Sequence, residues 1–162
     1  MITVQEQVRL LSDTELYPQA VQFMRGVART LPATQINGLL NVSLYSTYDK
    51  LTWFIEHQRT RTTWRREDSH IPDFYHRLAQ KLKQLETTAL SIMKTKAGQQ
   101  SQEDLQTLKM LLAREFIQHL LAENSYMMAE RSFQNDEQRN TPANQGRQQG
   151  RNAGPVTRQG RL

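Results

Sequence analysis

The stretch TLPATQINGLLNVSLYSTYDKLTWFIEHQRTRTTWRR, Thr30–Arg66, decides the reading of this chain. Pro32 has no backbone N–H and pre-sets its own φ, and Thr34 just behind it is a good helix cap. Apolar residues then recur at Ile36, Leu40, Leu44, Tyr48, Leu51 and Ile55. Steps of four and three put them on one side of an α-helix, so the spacing predicts a single helix over about 33–58. NVSLYSTY within it is rich in β-formers, yet the helical period runs through both flanks. Gly38 weakens the helix and points to the close approach of a neighbouring one. The helix then runs out into Arg59, Arg61, Trp64, Arg65 and Arg66, a cationic cluster interleaved with Thr and one Trp.

Residues 59–71 read as a loop or frayed helix end. Beyond them Pro72 and Asp73 suit a first turn, and Phe74, Leu78, Leu82, Leu85, Ala89 and Ile92 make one apolar stripe that Gly98 terminates. Ser101 with Asp104 forms a box-like start for a last helix burying Leu105, Leu108, Leu112, Phe116, Leu120 and Met127. On the N-terminal side, residues 3–11 suit a short amphipathic helix with Val4, Val8 and Leu11 on one side. A break follows at Ser12 or Asp13, and Pro18 opens a second helix with Ala20, Val21, Met24 and Val27 or Ala28 inward, ended by Thr30–Pro32. From Ser132 the chain turns to Gln, Asn, Gly and Arg with little to bury, which predicts disorder. The expected architecture is all-α: a compact bundle of four to five helices over 1–131, then a disordered basic tail over 132–162.

A chain of 162 residues suits one domain of ordinary size, and its 37% apolar content agrees with part of it staying outside a core. The absence of Cys excludes disulfides and thiolate metal sites and fits a reducing cytoplasm. No run approaches the ~20 apolar residues of a membrane span, and the start lacks a signal pattern. A soluble, cytoplasmic protein without a membrane partner is expected. The net charge of +5 is unevenly spread. Residues 1–137 carry 16 cations and 16 carboxylates, whereas 138–162 carry five Arg (139, 147, 151, 158, 161) and no acid. Residues 50–66 and 77–96 are each +4, and 103–137 are −4. This is a body of segregated charge with a basic tail.

His57, His70, His76 and His119 have no metal-ligand spacing; no phosphate loop or nucleophile elbow is present. The expectation is therefore no enzyme, no cofactor and no metal. The cations are better candidates. Lys83 and Lys94 lie three turns apart on one polar helix face, ~16 Å along the axis. Such a row suits successive phosphates, with Arg59, Arg61, Arg65 and Arg66 clamping others; it equally suits a solvated surface. Trp64 either stacks on a base or caps the bundle. The Gly-Arg steps of the tail read as an RNA-binding segment or as a solubilising one. Tyr126, Met127 and Met128 read as a docking patch for another subunit or as the end of the core.

LPATQINGLLNVSLYSTYDKL, with Leu31-Pro32 followed by Asn37-Gly38-Leu39-Leu40, resembles the first long helix of the small subunits of type III CRISPR effector complexes. DFYHRLAQKLKQLETTALSIMK looks like that family's middle helix and FIQHLLAENSYMMAE like its closing one. The resemblance covers about residues 30–130; a glycine-rich ending common in one branch is replaced by the Arg/Gln tail. It implies a non-catalytic helical bundle that self-associates along a multi-subunit ribonucleoprotein. Its basic face would line the groove holding guide and target RNA and recognise backbone without sequence readout. The implied RNA contacts are Lys83, Lys94, Arg59, Arg61, Arg65 and Arg66. The alternative reading is a helical adaptor or regulator that uses its segregated charge to bind an acidic protein partner. A DNA-binding bundle lacks helix-turn-helix spacing.

Overall fold

The computed structural model describes residues 3–95 and 101–140, and every regular element among them is helical. The chain divides into two units, Met1–Ser125 and Tyr126–Leu162. The helices are α1 (Val4–Leu11), α2 (Tyr17–Arg25), α3 (Ala33–Tyr45), α4 (Tyr48–Thr60), α5 (His70–Thr95) and α6 (Gln102–Asn140). A π turn, Ser12–Leu16, joins α1 to α2 without interruption, so the described residues make five continuous helices. The expected all-α bundle is what forms.

In the first unit, the stripe expected on α5 is buried throughout, at Phe74, Leu78, Leu82, Leu85, Ala89 and Ile92. Leu108, Leu112, Phe116 and Leu120 of α6 are buried as well, while Leu105 stays half-buried. α4 packs along α5 as an antiparallel hairpin. Tyr48 Oη donates to Glu86 Oε1 (2.9 Å) at one end of it, and Arg59 Nη1 meets His76 Nδ1 (3.4 Å) at the other. Gly38 of α3 faces the Phe54 ring of α4, 3.5 Å from where a Cβ would stand, an ordinary contact distance that would admit a methyl group.

The long helix expected over 33–58 is two helices. Ser46 and Thr47 are extended (ψ 177° and 165°), and chain direction changes between α3 and α4. Both the backbone N–H and the hydroxyl of Ser46 turn back onto Val42 O, the local competition by which Ser disfavours helix interiors. The break also leaves carbonyls at the end of α3 without helical donors. Arg114 of α6 supplies them, giving Nε to Ser43 O (3.0 Å) and Nη2 to Leu44 O (3.3 Å). The turn shifts the buried face of α3: Leu39 and Ser43 are buried, and Ile36, Leu40 and Leu44 only half-buried.

At the N-terminus the reverse holds, and the expected break at Ser12 is absent. Tyr17 N–H reaches Ser12 O, the wide spacing of a π turn, which accommodates Pro18 with its missing donor. α2 ends earlier than expected, at Arg25, with Gly26 as its C-cap. A Cβ on Gly26 would stand 2.7 Å from Arg77 Nη1. Pro32, not Thr34, is the N-cap of α3; Thr34 lies inside the first turn. Gly98 falls outside the described residues.

The second unit is described from Tyr126 to Asn140, all of it helix, with Tyr126 and Phe133 exposed. Residues 132–140, assigned by composition to the tail, are thus helical, because extending an existing helix needs no new nucleus. Residues 141–162 lie outside the described residues.

Two helices start on reciprocal boxes. Thr3 N–H donates to Glu6 Oε2 (2.7 Å) while Glu6 N–H donates to Thr3 Oγ1 (3.2 Å). Ser101 and Asp104 repeat the pattern at 3.0 and 3.1 Å. Bonds from the Thr3 and Ser101 backbone N–H groups, then from their hydroxyls, hold both carboxyls below their ordinary values of 4.5 and 3.8. A depressed folded value stabilises above the unfolded one, and that stabilisation is lost as pH falls through the folded value. NMR titration should therefore find Glu6 and Asp104 with midpoints below 4.5 and 3.8. Midpoints at those ordinary values would mean the boxes are open in solution.

Candidate nucleic-acid interface

The α4–α5 connection is built by its own side chains. Thr60 turns its hydroxyl to Glu56 O (2.9 Å), and Arg61 is extended (ψ 123°), so α4 stops there. Trp64 Nε1 donates to Gln58 O (3.1 Å), satisfying a carbonyl that the helix end leaves open. Arg61 lays its guanidinium 4.9 Å from the centre of the Trp64 ring and gives Nε to Thr63 Oγ1 (2.7 Å). Trp64 thus closes the end of α4, its ring half-buried and one face occupied by Arg61.

The remaining expected residues divide. Arg59 Nε donates to Glu56 Oε2 (2.9 Å), and this bond, first among its causes, holds the Glu56 carboxyl low. Arg65 pairs with Glu67 across 3.6 Å, with both side chains largely in solvent, a contact of little energetic weight. Arg66, Lys83 and Lys94 are exposed, and no ion pair joins them to a carboxylate among the described residues. Within the first unit, no described carboxylate of α6 forms an ion pair with any of the six cations. Nor do the six form one cluster. The hairpin register puts Lys83 beside Thr52 and Trp53, and Lys94 lies ~36 Å along α5 from its first residue, at the end away from the arginine loop. The arginines lie at one end of the hairpin, Lys83 partway along it and Lys94 toward the other end.

Lys83 borders a groove of about 490 Å³ between α4, α5 and α6, with Asp49, Trp53, Glu56, Glu86, Gln106 and Lys109 among its walls. Glu86 accepts from Tyr48 Oη and faces Lys109 Nζ at 3.7 Å, while Lys109 also lies 5.6 Å over the Tyr48 ring. Burial, then the Glu86 bond, pushes the Tyr48 phenol upward, so it remains a donor at ordinary pH. Three carboxylates against two lysines make the groove floor a poor seat for phosphate.

Two features went unread in the sequence. One is a row on α4, Lys50, Trp53 and His57, all exposed, spaced three and four. Trp53 is 67% exposed and stacks on His57 with ring centroids 5.2 Å apart and an 8° tilt. The spacing was the available signal, on the face opposite the apolar stripe. The other is Ser12, whose buried hydroxyl lies 2.8 Å from Glu115 Oε2 and 2.7 Å from His119 Nε2, with Tyr17 edge-on to the imidazole. The hydroxyl has one proton to donate; given to the carboxylate, it leaves Ser12 Oγ to accept from the imidazole. The contact ties the π turn to α6, and nothing local in sequence signals it.

Among the described residues, no three His, Asp or Glu side chains assemble into a possible metal site, and no helix is long and apolar enough to cross a membrane. Set against protein-family models, curated proteins and solved structures, the chain matches none.

Proposed function

We propose that this chain is a non-catalytic RNA-binding small subunit of a CRISPR ribonucleoprotein effector complex. In this reading it works in the cytoplasm, associates with other subunits and with copies of itself, and grips the backbone of guide and target RNA. The observation that carries the reading is the set of exposed cations on the α4–α5 hairpin and its loop. Arg61, Arg65, Arg66, Lys83 and Lys94 are exposed, and within the first unit no described carboxylate of α6 forms an ion pair with them. Backbone recognition asks for cations on a rigid support, and two packed helices supply one. A helical adaptor is the second reading, favoured by the exposed Tyr126 and Phe133 on the last turns of α6.

The test is the salt dependence of RNA binding by the full chain. Replacing Arg61, Arg65 and Arg66 together by Gln should weaken binding alike for all sequences and reduce the log–log salt slope by about 1 per lost phosphate contact, roughly 2–3 in total. A companion variant with Gln at Arg147, Arg151, Arg158 and Arg161 separates the tail from the folded hairpin. Unchanged affinity in the first variant, or loss confined to the second, would remove the hairpin from the interface.

A further inference from the structure

Trp53 is the largest aromatic side chain left open on α4. One of its faces lies on His57; 67% of the residue is in solvent. Its cationic neighbours are Lys50, one turn before it on the same face, and Lys83 of α5, which lines the same groove. No exposed Leu, Ile, Val or Met joins it on that row. A protein-docking tryptophan sits inside an apolar ring that excludes water; this one sits between cations. A flat ring flanked by positive charge on a rigid support is the arrangement that holds an unpaired nucleotide, the base on the ring and its phosphates on the cations. Asp49 and Glu56 line the groove beside the ring. Their carboxylates repel phosphate but accept hydrogen bonds from the amino group of a base.

We infer that Trp53, backed by His57 and flanked by Lys50 and Lys83, is a stacking platform for an unpaired purine nucleotide of a bound RNA. The platform rests on the RNA-binding reading and adds to it a contact with a base, where that reading has contacts with backbone alone. Purines fit better than uracil because they offer a larger face, and both carry an amino group for the adjoining carboxylates.

The experiment measures binding of the full chain to three single-stranded probes of equal length: an oligoadenylate, an oligouridylate and an abasic ribose-phosphate strand. Trp53→Ala should lose roughly 5- to 100-fold in affinity for oligoadenylate, the range expected for removal of one base–aromatic stack. Trp53→Phe should retain part of it, and neither substitution should change binding of the abasic strand. Oligouridylate should bind more weakly than oligoadenylate, and oligoadenylate should quench a tryptophan emission that Trp53→Phe lacks. The side chain is exposed, so circular dichroism should show both variants folded. If Trp53→Ala binds oligoadenylate like the original chain while the Arg61, Arg65 and Arg66 variant is weakened, the platform is wrong and the backbone reading stands. If the unaltered chain binds no probe and no duplex RNA, both fail. If Trp53→Ala weakens capture of another protein and leaves RNA binding intact, the surface is a protein contact and the inference falls.

Discussion

Asn124→Ala should cost this fold roughly 2–5 kcal/mol, because it strips the partners from two buried backbone groups at once. Asn124 and Leu31 are both 0% exposed. Leu31 lies in the connection between α2 and α3, where no helical ladder serves its peptide groups. Asn124 Oδ1 accepts from Leu31 N–H (2.7 Å), and Nδ2 donates to Leu31 O (3.2 Å). Alanine leaves a donor and an acceptor in a space closed to bulk water. Asn124→Asp tests the geometry separately: it keeps the acceptor for the N–H and turns an oxygen toward the carbonyl, so it should be no better tolerated. Urea unfolding is the measurement, with the midpoint expected to fall and the slope to stay constant. A variant within 1 kcal/mol of the original would mean that water reaches Leu31.

The second large effect is expected at Phe116. Its ring is fully buried, meets Phe23 edge-on (6.0 Å, 78°), and lies 5.5 Å beneath Lys81 Nζ. Phe116→Ala should cost about 3–5 kcal/mol from lost transfer energy and the cavity left behind. Phe116→Leu, which keeps more of the volume, should cost clearly less. Burial lowers the pKa of Lys81, whose ammonium is held where water is scarce, so losing the ring removes a favourable contact from an already disfavoured charge. A calorimetric melt of each variant checks the order, and equal melting temperatures for Ala and Leu would mean the cavity collapses. Positions 116 and 124 are two turns apart on α6, ~12 Å along its axis, and their costs should add.

The long amphipathic segments were legible because burial acts on them over many turns. The α5 stripe and the Leu108–Leu120 stripe of α6 are where spacing alone put them. Segments with weaker periodicity were not. α3 and α4 share an unbroken apolar period, but two Ser/Thr positions and an arginine from α6 decide that the chain turns between them. At Ser12 the balance tips the opposite way: Ser and Pro discourage a helix locally, whereas contacts with Glu115 and His119 hold the segment in one.

The candidate site divides in the same way. The arginine-rich loop and the lysines of α5 can be read directly, since charge type and helical face follow from residue order. Which of those cations remain open cannot, because pairing depends on neighbours that folding brings up. Arg59 is occupied by Glu56 and Arg61 by the Trp64 face, whereas Arg66, Lys83 and Lys94 have no ion pair among the described residues. The two tryptophans differ in their surroundings: Trp64 closes the end of α4, and Trp53 stands in solvent.

By itself, then, the sequence determined that the chain is helical, where its two longest helices carry their apolar faces, and that its positive charge is concentrated on 50–66, 77–96 and the tail. These are properties of neighbours a few residues apart, set by the period of the helix. Only the tertiary structure decided that 33–60 is a separate helix followed by a hairpin arm, that Asn124 closes the Leu31 connection, and which cations and which tryptophan face water. Each of those outcomes turns on contacts between residues tens of positions apart or on the path of a connecting loop, which a local period does not encode.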